Sequence, residues 1–134
     1  MIMKKLIALI LVVALAASAF CLEAFAASYK SQEASGTYHG GAWRATLSAQ
    51  DARYDFATAS FTTTADKGNF KLTITYHDDV LSTENTKSTR GTTPYGGSVT
   101  KDLKVPQMGY TLLKATAVYE IDKTTVKTLT TVRK

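Results

Sequence analysis

The sequence predicts an all-β fold: an antiparallel β-sandwich of about six to seven strands, in an immunoglobulin-like layout, behind a cleaved signal peptide. Three observations carry this. Apolar and polar residues alternate with period two through most of the chain after residue 41, as half-buried strands require, and no stretch holds the i, i+3, i+4, i+7 spacing of an amphipathic helix for long. Threonine occurs 21 times, always after residue 36, and its stiff β-branched side chain sits well on a pleated sheet. Turn-forming residues separate the alternating runs at Asp66-Lys67-Gly68-Asn69, Gly96-Gly97, Pro106-Gln107-Met108-Gly109 and Asp122-Lys123.

Residues 1–26 read as an export signal. Lys4 and Lys5 form the positive start, residues 6–17 the apolar run, and Ala24-Phe25-Ala26 a small-residue cleavage site that puts the new N-terminus at Ala27. The apolar run is too short to span a bilayer, which takes roughly 20 residues. Lipid attachment at Cys21 is disfavoured by the bulky Phe20 before it. Cleavage after Ala26 removes this sole cysteine, leaving 108 residues without thiol or disulfide, enough for one domain held by packing.

Residues 27–41 (ASYKSQEASGTYHGG) are small and polar and are expected to lead loosely into a sandwich over 42–134. Trp43, Ala45, Leu47 and Ala49 alternate with Arg44, Thr46 and Ser48. Ala57, Ala59 and Phe61 do so with Thr58, Ser60 and Thr62, and Phe70, Leu72, Ile74 and Tyr76 with Lys71, Thr73, Thr75 and His77. Val99, Lys101, Leu103 and Val105 form a weaker strand, with Lys101 on its apolar side. Leu113, Ala115, Ala117, Tyr119 and Ile121 give the longest apolar face, and residues 126–132 close the chain with alternating Thr and Lys. Residues 78–97 break the pattern, with Val80, Leu81 and Tyr95 as their only large apolar groups. A structureless loop of that length is unusual in a compact domain, so residues 81–89 are expected to pair as an outer strand and residues 92–97 to form a mobile tip.

The ATASFTTT run at residues 57–64, the strand ending in Ile74-Thr75-Tyr76, the polar Ser/Thr/Gly middle, and Gly109-Tyr110 leading into the strand with Ala115 and Ala117 together carry a resemblance. This layout resembles a loose group of small secreted Gram-positive bacterial proteins with an uncharacterised β-sandwich domain. The resemblance covers nearly all of the mature chain; it implies export and the fold, and brings no known activity.

The mature part carries 14 basic and 10 acidic residues, a formal +4, which falls short of a nucleic-acid footprint. His77-Asp78-Asp79, with His39, raises a metal site, but neighbouring strand residues point to opposite faces, so an outward histidine beside two turn-forming aspartates is the better reading. No G-x-S-x-G elbow, H-E-x-x-H, phosphate-cradling loop or dinucleotide fingerprint occurs. Asp51, Asp55, Asp66, Glu84 and Glu120 supply carboxylates for a glycosidase pair, but the three aspartates sit beside loops and Glu120 alternates with Tyr119 and Ile121. No catalytic residue, metal ligand or cofactor is therefore expected. Among Tyr38, Trp43, Tyr54 and Tyr95 as sugar-stacking rings, Trp43 shares its parity with Leu47 and belongs in the core, which leaves Tyr95 as the surface candidate. Strand 124–132 offers an edge for another chain to add to, with Lys123, Lys127, Arg133 and Lys134 as guards against it.

The function expected is a secreted, non-catalytic module of the cell-surface, matrix or adhesion type, released outside the cell or into the periplasm where there is one. It would bind an unknown protein or cell-surface glycan through a sheet edge or residues 78–97, with Arg90 and Tyr95 giving charge-directed and stacking contacts. No nucleic-acid partner and no membrane anchor after cleavage is expected. The alternatives are a small antibacterial or membrane-active effector and a carbohydrate-binding domain; a spanning barrel needs about 9 to 11 residues per strand with an apolar outer face, and these faces carry mostly Thr and Ala. Export predicts that the intact mass of the product in culture fluid or periplasm corresponds to a chain beginning at Ala27; a lipid-modified species beginning at Cys21 would contradict it.

Overall fold

The computed structural model describes residues 28–134; the export signal and its cleavage site lie outside the described residues. Eight strands form: β1 (Gln32–Tyr38), β2 (Gly41–Gln50), β3 (Phe56–Thr63), β4 (Gly68–Asp78), β5 (Thr83–Thr92), β6 (Gly97–Lys104), β7 (Tyr110–Ile121) and β8 (Thr124–Val132). They make two four-stranded sheets in the orders β1-β2-β3-β6 and β5-β4-β7-β8, with every pairing antiparallel. The sandwich expected from the alternation is what forms, with a strand order of its own. β2 and β3 are hairpin neighbours in one sheet, whereas an immunoglobulin chain crosses between sheets at that step.

Three local features differ from the sequence reading. The loose lead expected over residues 27–41 contains a strand: Gln32–Tyr38 pairs with β2 along its whole length. Its inner face, Gln32, Ala34, Gly36 and Tyr38, shows little apolar alternation, and Gly36 has to be small, since a Cβ there would stand 2.8 Å from the Trp43 ring. Residues 92–97, expected as a mobile tip, are anchored at Thr93. Thr93 is buried, its hydroxyl accepts the Gly68 N–H at 2.8 Å, and its own N–H donates to the Gly68 carbonyl at 2.7 Å, so the crossing from β5 to β6 is tied to the start of β4. In β7, finally, Leu112 is in the core and Leu113 is only half-buried, because a bulge pairs Thr75 with Lys114 and Tyr76 with Leu112, leaving Leu113 as the extra residue.

The core lies between the sheets. Ala45, Ala57, Ala59, Ala115 and Ala117 are fully buried, and these small side chains make room for Phe61, Phe70 and Tyr119. Phe61 meets Tyr119 edge-on with ring centroids 5.0 Å apart, Phe70 approaches it at 5.5 Å, and Trp43 packs on Phe61 at 6.3 Å. The Tyr119 hydroxyl donates across the gap to the Thr46 carbonyl of β2. Burial raises the Tyr119 pKa, which keeps that donor protonated. Gly68 allows this closeness, as a Cβ on it would lie 2.5 Å from the Phe61 ring.

A polar clamp ties the two chain ends of the described part. The Arg133 guanidinium pairs with Asp51 at 2.6 Å, donates to the Tyr29 hydroxyl at 2.9 Å and lies 5.6 Å from the centre of the Tyr29 ring. Burial pushes the Tyr29 hydroxyl up to about 12, against the lowering influence of Arg133, so it stays protonated and donates to the Leu112 carbonyl. Asp55 is the inner member: its carboxylate accepts the N–H of Leu112 at 3.0 Å and of Ala52 at 3.1 Å. The Lys134 N–H then reaches the Ser28 carbonyl at 2.9 Å.

Ile74, fully buried between these sheets, should cost on the order of 2 to 5 kcal/mol on replacement by Ala, measured by denaturant unfolding. The clamp should divide unequally. Asp55→Ala strips a charged acceptor from two backbone donors and should cost about 2 to 4 kcal/mol, whereas Arg133→Ala, which breaks a half-exposed pair, should cost about 1 kcal/mol or less.

Candidate functional site

The short connections place both sheets' loops at two ends. One end, here the loop end, gathers residues 28–31, 51–55, 79–82, 105–109 and the C-terminus; the other gathers residues 39–40, 64–67, 93–96 and 122–123. Five exposed large apolar side chains share the loop end: Tyr54 between β2 and β3, Val80 and Leu81 between β4 and β5, Met108 between β6 and β7, and Val132 at the end of β8. Exposed apolar side chains rimmed by polar residues are one feature of surfaces where soluble domains meet partners.

The β4–β5 turn holds Val80 and Leu81 outward. The Asp78 carboxylate accepts the N–H of Val80 at 2.9 Å and of Leu81 at 3.2 Å, while the Asp78 carbonyl accepts from Ser82 at 2.8 Å. Ser82 closes the turn in the left-handed region with φ 54°. With its backbone thus satisfied and its side chains facing water, the tip leaves Val80 90% and Leu81 70% exposed. The backbone bonds from Val80 and Leu81 hold the Asp78 carboxyl below the ordinary carboxylate value, assisted by the Tyr110 hydroxyl and His77. Tyr110 stacks on Tyr76 with centroids 5.6 Å apart, which braces the turn from the core side.

The start of β7 is joined to this turn. Thr111 donates to both Asp79 oxygens, at 3.1 and 3.2 Å, and His77 Nδ1 lies 3.1 Å from the same carboxylate. Arg53 Nε donates to the Met108 sulfur at 2.8 Å, linking the β2–β3 and β6–β7 loops. Thr83 to Ser88 are exposed on both faces, and Lys87 reaches from among them toward the Lys104 carbonyl of the facing sheet at 3.4 Å.

The residues expected to bind lie elsewhere. Residues 78–97 are a turn, an edge strand and a crossing, and the ten residues of β5 separate the first from the last by about 33 Å. Arg90 is exposed on the outer face of β5, directly opposite Lys71. Tyr95 is 79% exposed at the far end, with the Lys67 ammonium 5.9 Å from its ring centre. His77, Asp78 and Asp79 form the turn, and among the described residues no group of three or more His, Cys, Asp or Glu is placed to hold a metal. Sequence reasoning passed over Val80, Leu81 and Met108; the available signal was two adjacent large apolar residues between aspartates and a serine in an otherwise polar stretch.

No family model matches the chain, and no curated protein matches it. Solved structures align loosely. A β-glucuronidase from Bacteroides uniformis aligns at 12% identity over 64% of this chain and 12% of its own, with a TM-score of 0.37. A DUF1425 family member from Shewanella aligns at 9% identity over 69% of this chain and 89% of its own, also at 0.37. The Clostridium thermocellum xylanase 10B fragment comprising CBM22-1 and GH10 modules aligns at 12% identity over 79% and 25%, at 0.34. This chain thus spans about an eighth of the glucuronidase and a quarter of the xylanase fragment, and alignments at this level assign neither family nor activity.

Proposed function

We propose that the domain is a secreted, non-catalytic binding module of the cell-surface or matrix type, that its contact surface is the loop end, and that its partner is a protein offering an apolar pocket. One observation carries the reading: Val80 and Leu81 are exposed on a turn whose backbone is fixed by Asp78. Burying two such side chains is worth about 3 to 6 kcal/mol before ordering costs, and those costs are small for a turn already held in place. The opposite end favours a sugar ligand less, because an ammonium already stands over the exposed ring of Tyr95.

The test is retention of the mature chain on cell envelopes, before and after the envelopes are treated with protease. Val80→Ser with Leu81→Ser should lower retention about 100-fold, the equivalent of about 2.8 kcal/mol and so close to the lower end of that burial, with an unchanged melting temperature. Retention that survives protease treatment of the envelope, or a double variant that binds as wild type, would overturn the reading.

Acid should act through Asp78. Its folded value lies below the unfolded one, so its contribution is present above about pH 4 and is lost as pH falls through the lowered value. Binding should therefore be flat from neutrality to about pH 5 and decline below about pH 4. Asp78→Asn should bind more weakly than wild type at neutral pH and flatten that acid limb, as read by titration across the range.

A further inference from the structure

The open edge of β5 carries information that the loop end does not use. β5 ends its sheet, pairs only with β4, and does so without a bulge over all ten residues. The Thr93 N–H donates to the Gly68 carbonyl, its direct partner in the β4–β5 register, which fixes the hydrogen-bonding parity of the ladder. Bonded pairs alternate in antiparallel strands, so odd-numbered residues of β5 bond to β4, and Glu84, Thr86, Ser88 and Arg90 turn their N–H and C=O groups to the open edge. The side chains of those same four residues lie on the outer face of the sheet, since Gly91 and Thr89 point inward over Phe70 and Leu72.

The charges on this face are unsatisfied within the domain. Arg90 stands directly opposite Lys71, a like-charge pair that costs stability on a sheet, and Glu84 stands opposite His77. Among the described residues neither Glu84 nor Arg90 makes an ion pair. They lie three positions either side of Lys87, so an antiparallel copy of the strand centred there sets Glu84 against Arg90, Thr86 against Ser88, Ser88 against Thr86 and Arg90 against Glu84. All four are edge-bonding positions. Moving the centre by one position either way keeps the backbone parity but loses both charge pairs.

We propose that β5 pairs antiparallel with β5 of a second copy of this chain, on a two-fold axis at Lys87, joining the two β5-β4-β7-β8 sheets into one of eight strands. The charge complementarity of Glu84 and Arg90 selects the occupant and the register. Lys87 opposes itself on the axis and weakens the pairing, and an edge lysine of this kind keeps it reversible. The lysine has somewhere else to go, as its ammonium reaches toward the Lys104 carbonyl at 3.4 Å. This goes beyond the loop-end reading and stands or falls separately, because Val80 and Leu81 take no part in the edge.

Sedimentation equilibrium of the chain from Ala27 to Lys134, at rising concentration in low salt, tests it. Wild type should show a monomer–dimer equilibrium that weakens with salt. Glu84→Arg and Arg90→Glu should each weaken it about tenfold or more, since each turns two attractive pairs into repulsive ones. The double exchange should restore it to within about threefold, and Lys87→Thr should tighten it. These positions are exposed, and an unchanged circular dichroism spectrum and melting temperature of the dilute variants exclude misfolding. A monomer in both wild type and Lys87→Thr, a dimer indifferent to the single reversals, or a double exchange that fails to restore association would each overturn the proposal.

Discussion

Tyr119 joins the two sheets twice, through its ring and through its hydroxyl. The ring packs against Phe61 of the opposite sheet and Phe70 of its own, while the hydroxyl reaches the Thr46 carbonyl, so the position of β7 relative to β2 is set by one side chain. A buried phenol is stable there only because its proton has an acceptor. The neighbouring choices follow from it: alanines at 45, 57, 59, 115 and 117 leave the ring its space, and Gly68 lets β4 start against Phe61. With the sheets fixed at that spacing, the connections fall into two groups, and the loop end is one of them.

How much of this was legible depends on whether period two survived. It did along β2, β3 and most of β4, and the readings of Trp43, Leu47, Phe61, Phe70, Leu72 and Ile74 as inward-facing match their burial. It failed where a strand gains a residue. The extra Leu113 in β7 reverses parity toward the strand's start, and a second irregularity, which leaves Val126 unpaired beside Tyr119 and Glu120, puts Leu129 and Thr131 inside and Val132 outside. β1 was hidden because its inner face of Gln32, Ala34, Gly36 and Tyr38 holds only one large apolar group, with Gly36 kept small by the Trp43 ring beneath it. β5 has no apolar face because water reaches both sides of its first half, so an outer strand was expected there from length and connectivity rather than from pattern. Of the candidate site only residues 78–97 were legible, as a mostly polar stretch; that its turn and its crossing lie at opposite ends needs the strand between them to be seen.

The two surfaces of this domain differ in what makes them specific. At the loop end a carboxylate, through backbone bonds, fixes where two apolar side chains point, and the recognition proposed there would be a matter of shape. Along β5 the backbone offers a generic ladder, and in the proposed pairing four outward side chains would determine which chain fits it. An antiparallel pairing of β5 would also send the two loop ends of a dimer in opposite directions, so that such a dimer would bridge two separate partners rather than grip one surface twice.

The clamp of Asp51, Arg133 and Tyr29 has a mechanical side. Ser28 and Lys134 are neighbours at one end of the sandwich, joined by a backbone bond, and β1 and β8 are edge strands of different sheets. Tension applied between these two points pulls across the strands rather than along them, so the ladder between β1 and β2 opens one rung at a time instead of resisting in shear. What stands in front of that peeling is the guanidinium pairing and the ring beneath it. Under load the domain would hold as long as that small polar knot holds, and would then unravel from its edges at low force while the Tyr119 core was still intact.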